Sequence, residues 1–75
     1  MNAYRAEYKQ FLDRLKAARK DAGLTQIEVA RKLGRPQSFV AKCESGERRV
    51  DVIELAALSR IYRKPVTFFY PPCLP

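Results

Sequence analysis

Residues 23–46 read GLTQIEVARKLGRPQSFVAKCESG, and the fold turns on how this stretch divides. Thr25 and Glu28 stand three apart ahead of an apolar run. That is the pattern of a reciprocal N-terminal cap, so a helix is predicted to open at Gln26. It carries Val29, Ala30 and Leu33 inward and is stopped by Gly34, with Ala30 and Gly34 expected to permit close helix approach. Pro36 lacks an N–H that the first turn of a helix does not need, so another helix is predicted from Pro36 or its neighbour to about Ser45, closed by Gly46. Helices this short, joined only by residues 34–36, cross steeply, and the later one projects an exposed face.

Upstream, Tyr4, Tyr8, Phe11, Leu12, Leu15, Ala18 and Ala22 recur at spacings of three and four, the mark of an amphipathic helix, with Gly23 as its stop. Downstream, Asp51 and Glu54 repeat the cap pattern. The helix they open is apolar on most sides (Val52, Ile53, Leu55, Leu58, Ile61, Tyr62), so it is expected to be the central and most buried one. Arg63-Lys64-Pro65 breaks it. The short apolar run 66–70 fits either a last helical turn or a strand, because period alone does not separate them. An all-α bundle of four to five short helices is expected, as one domain over residues 1–70 with a loose Pro-rich tail at 71–75.

Composition narrows the function. The 75 residues are 47% hydrophobic and 31% charged, enough for one small core. The absence of histidine removes the commonest general base and a common metal ligand. No enzyme, metal, cofactor or small-molecule ligand is therefore expected. A net charge of +7 favours an anionic partner, nucleic acid or a membrane surface. No stretch approaches the roughly 18 apolar residues of a membrane span, and no signal-peptide pattern opens the chain. The two cysteines, Cys43 and Cys73, are too few for a disulfide framework, so a reduced, cytoplasmic protein is expected, with Cys43 a small buried hydrophobe.

The two central helices have helix-turn-helix geometry. The run Gly23 to Gly34, followed by Gln37-Ser38-Phe39-Val40 and Glu44-Ser45-Gly46, resembles the lambda-repressor/Cro-type (XRE-like) family over about Leu12 to Phe69. The resemblance implies a sequence-specific regulator of transcription, a repressor, whose 37–45 helix enters the major groove of double-stranded DNA. Gln37, Ser38 and Lys42 would then meet base edges, while Gln26, Arg35, Arg48 and Arg49 would bind backbone phosphates. In such proteins the glutamine at Gln26 also braces the first recognition-helix glutamine. Arg19 and Glu44 match a family pair that forms an ion pair. Phe39 is expected to pack near Cys43 and the basic loop rather than to touch a thymine methyl.

Two departures from the family pattern bear on geometry. Arg63 stands where glycine is usual, so it must take a left-handed conformation or the last segment must leave at another angle. Pro36 replaces a Ser or Thr cap and removes a side-chain oxygen there. Apolar material is left over at the C-terminal end, where Phe68, Phe69, Tyr70 and Leu74 are expected to form a homodimer contact; the alternative is that these aromatics fold back over the first helix. A dimer would read a pseudo-palindromic operator. Restriction-modification controllers, antitoxin-type regulators and a protein-interaction adaptor without DNA binding share the same architecture.

Overall fold

A computed structural model describes residues 5–71. Four α-helices and one 3-10 turn follow in order: α1 (Arg5–Asp21), α2 (Gln26–Leu33), α3 (Gln37–Ser45), α4 (Val52–Tyr62) and η1 (Val66–Phe69). None is long and apolar enough to cross a membrane. Tyr4, Cys73 and Leu74 lie outside the described residues.

Local chemistry sets the helix ends. Thr25 Oγ1 accepts from the Glu28 N–H at 3.1 Å while Glu28 Oε1 accepts from the Thr25 N–H at 2.9 Å, closing the cap on α2. Asp51 and Glu54 do the same for α4. Pro36 is the N-cap of α3 rather than its first helical residue, extended at φ −63° and ψ 154°, and it makes no side-chain cap. Gly34 has φ 70°, yet a Cβ there would meet nothing within 4 Å. The glycine therefore serves the left-handed turn and not close helix packing, which corrects the expectation drawn from spacing. Gly46 is needed on both counts: its φ is 84° and a Cβ would stand 2.9 Å from Leu12 Cδ1.

The core gathers Leu15 and Ala18 of α1, Val29 and Ala30 of α2, Val40 and Cys43 of α3, Leu58 and Tyr62 of α4, and Phe69 of η1. Helices α2 and α3 form the most closely packed pair. Helix α4 is not the most buried element: Val52 and Ile53 are 75% and 74% exposed, and only Leu58 and Tyr62 of that helix are buried. Its apolar composition exceeds what α1, α2 and η1 cover. Phe69 is wholly buried and Phe68 is half-covered. Phe68 stacks edge-on against Phe69 at 5.4 Å between centroids, and its carbonyl accepts from Arg14 Nη1 at 3.1 Å. These two aromatics thus fold back onto α1, so the expectation that Phe69 lies on a contact surface is corrected. Tyr70 remains exposed, while Pro71, expected in the loose tail, is buried.

Arg63 resolves its departure by turning left-handed, at φ 57° and ψ 44°. Its N–H and that of Lys64 return to the carbonyls of Arg60 and Ser59, and Ser59 Oγ donates to the Lys64 carbonyl. The conformation strains any residue with a Cβ. Arg63→Gly is therefore expected to raise the unfolding free energy by about 0.5–1 kcal/mol, the relieved strain outweighing the extra chain entropy of glycine. Thermal melts of the two proteins check this, and a lower melting temperature for Arg63→Gly would contradict it.

Candidate nucleic-acid interface

Helix α3 advances about 100° per residue. Counting from Gln37, this puts Gln37, Ala41, Ser38 and Lys42 within an arc of about 140°. Phe39, Cys43 and Val40 occupy the other side, and Glu44 sits at the margin beside Gln37. Burial agrees: Gln37, Ser38 and Lys42 are exposed, whereas Val40, Cys43 and Glu44 are buried. Ala41, which sequence reasoning passed over, lies in the middle of the outward arc and leaves room for close approach of another surface.

Behind this face runs a chain of hydrogen bonds drawn from three helices. Glu44, only 4% exposed, accepts from Arg19 Nε at 2.7 Å and from Arg19 Nη2 at 3.2 Å. Arg19 also donates to the Leu24 carbonyl at 3.0 Å. The hydrogen bond to Glu44 is the main reason the Arg19 guanidinium is held above its ordinary pKa. Gln26 Nε2 donates to Glu44 Oε1 at 3.0 Å, and Gln37 Nε2 donates to Gln26 Oε1 at 2.8 Å. The direction of this relay follows from chemistry. A carboxylate only accepts, so Gln26 must turn its NH₂ inward and its oxygen outward. Gln37 then presents NH₂ to Gln26 and is left with one N–H and its Oε1 free, a donor beside an acceptor on the outward face. No buried side-chain nitrogen or oxygen among the described residues lacks a partner.

The basic residues around α3 separate into two kinds. Arg48, expected at a phosphate, is instead turned to Glu54, donating at 2.7 and 2.8 Å, with Nη1 also reaching the Arg49 carbonyl at 2.9 Å. Its Nη groups are thus engaged within the protein, and Glu54 in return is held below the usual carboxylate range, chiefly by Arg48. Arg35, Lys42 and Arg49 are exposed. Arg49 lies over the Tyr8 ring at 4.2 Å, and Tyr8 Oη accepts from the Val50 N–H at 3.1 Å, anchoring the loop after α3 to α1. Phe39 carries the Arg35 and Arg48 guanidiniums at 4.5 and 4.7 Å. Phe39 thus packs against the basic loop as expected, through Arg48, whereas the contact of Arg49 with Tyr8 was not legible beforehand, because Tyr8 reads as one more member of an apolar stripe. Burial pushes the Cys43 thiol up, away from the thiolate form that reacts.

An exposed polar face on the second of two closely joined helices, backed by a hydrogen-bonded relay and flanked by exposed cations, is the arrangement of a DNA-binding domain of the transcription-regulator type. Comparison with known proteins agrees. A helix-turn-helix family model matches residues 15–69. A solved structure described as an XRE-family like protein from Pseudomonas syringae pv. tomato str. DC3000 is similar at a TM-score of 0.82 and 47% identity, covering 88% of this chain and 80% of that one. No curated protein matches. The chain belongs to the XRE-type helix-turn-helix family.

Proposed function

We propose that this chain is a cytoplasmic, sequence-specific repressor that sets α3 into the major groove of double-stranded DNA. The observation that carries the reading is the Gln37 amide, exposed at the start of α3 and oriented through Gln26 by Glu44 and Arg19. A donor and an acceptor side by side match the N7 and N6 edge of adenine, so Gln37 reads an adenine. Ser38 and Lys42 meet neighbouring base edges, Lys42 donating to guanine. Gln26, Arg35 and Arg49 bind the backbone on either side.

One such domain covers too little DNA for tight specific binding, so the protein acts as a symmetric dimer on a pseudo-palindromic operator. The apolar surface left open beside Tyr8 and Phe11, which continues through Val52 and Leu55 to Tyr70, supports assembly there. The recognition helices would then stand about 34–36 Å apart, one turn of DNA.

Selection of the preferred duplex from a random pool tests the reading, followed by two substitutions. Gln37→Ala is expected to weaken binding to the selected site by about 1–3 kcal/mol and to relax the choice of base at one position. Arg49→Ala is expected to weaken binding to all sequences alike and to flatten the salt dependence by about one unit of slope. Equal loss of specific and non-specific binding on Gln37→Ala would remove Gln37 from base readout.

A further inference from the structure

Arg35 and Arg48 share one aromatic ring but differ in what their N–H edges do. Arg48 is fixed by two hydrogen bonds to Glu54, which is itself held by the Asp51 N–H at 3.1 Å as part of the α4 cap. The Arg35 side chain makes no hydrogen bond or ion pair among the described residues; it lies over the Phe39 ring, 4.5 Å from the guanidinium carbon, with the Glu54 carboxylate near enough to feel its charge. Contact with a ring uses the face of the guanidinium and leaves its in-plane N–H groups unengaged. An exposed arginine just ahead of the recognition helix thus rests on a ring while no oxygen or nitrogen acceptor among the described residues takes its N–H groups.

We propose that Phe39 is a positioning residue for DNA-backbone binding, its ring holding the Arg35 guanidinium with its N–H edge free to take a phosphate beside the start of α3. The inference rests on the reading of α3 as the groove-entering helix and adds how one of its flanking cations is kept ready. Ordering a long side chain in advance removes part of the entropy lost when it binds. Arg48 serves the opposite end: bound to Glu54, it fixes the ring rather than the DNA.

A double-substitution cycle on the selected duplex, read by fluorescence anisotropy across a salt series, tests this. Phe39→Leu is expected to weaken binding about threefold to tenfold when Arg35 is present, and less than about twofold in the Arg35→Ala background. Phe39→Tyr, which keeps the ring, is expected to bind within about twofold of the wild type. Equal losses from Phe39→Leu in both backgrounds would overturn the proposal while leaving the functional reading intact; a wild type that binds no duplex would overturn both. Should Phe39→Leu fail to fold, the unchanged protein decides by NMR. The Arg35 Nε–H resonance is expected to shift on addition of duplex while that of Arg48 stays, and an unmoved Arg35 resonance overturns the assignment.

Discussion

Replacing Glu44 by alanine is expected to lower the unfolding free energy by about 3–5 kcal/mol, because removal of one partner from a buried pair strands the other charge. Both oxygens of Glu44 are engaged, by Arg19 at 2.7 and 3.2 Å and by Gln26 at 3.0 Å, in a setting almost closed to water. Once they are gone, Arg19 keeps only the Leu24 carbonyl, and the cavity left beside Val40 and Cys43 adds its own cost. Urea unfolding measures the loss. A difference below about 1 kcal/mol would mean that water reaches the site and solvates Arg19. Glu44→Gln separates shape from charge. It fills the same space but brings an NH₂ group among donors, so Gln26 can reverse its amide and with it the donor and acceptor that Gln37 shows outward. Folded Glu44→Gln protein is therefore expected to bind DNA with loosened base preference at the Gln37 position, which a selection experiment would read.

What could be anticipated from the chain and what could not follow from the range of the forces involved. Thr25 with Glu28 and Asp51 with Glu54 cap helices through atoms three residues apart, and Gly34 and Gly46 turn left-handed for reasons internal to one residue, so α2, α3 and the start of α4 were readable from short windows. The outward face of α3 followed from its period once its ends were fixed. Arg48 and Arg49 show where such reading stops. They are the same residue type one position apart, and nothing local sends one to Glu54 and the other over Tyr8. That division is made by where α1 and α4 lie in space. Packing of Phe39 near the basic loop was anticipated, but not that Arg35 and Arg48 would share its ring, since that depends on how the chain turns at Gly46. The 66–70 run was ambiguous because five residues are too few to establish a period; its docking on α1 and α4 decides for a 3-10 turn at Val66–Phe69.

Phe69 and Val52 provide the sharpest separation of fold from assembly. Phe69 has no exposed surface and belongs to the same cluster as Leu15, Val29 and Tyr62, so Phe69→Ala is expected to lower the unfolding free energy by about 3–5 kcal/mol. In a domain of this size that is a large share of the whole, and calorimetry should find the melting transition displaced or lost. Val52 is the opposite case. It stands 75% exposed at the first position of α4, where an added negative charge also suits the helix N-terminus, so Val52→Asp is expected to leave unfolding within about 0.5 kcal/mol of the wild type. Its effect belongs to association: a carboxylate on the open apolar surface should hold the protein monomeric by sedimentation and weaken operator binding, while leaving the affinity of a single domain for one half-site unchanged. If Val52→Asp dimerises as the wild type does, the two-fold contact lies elsewhere. A wild type that stays monomeric even on operator DNA would remove the dimer and, with it, the palindrome.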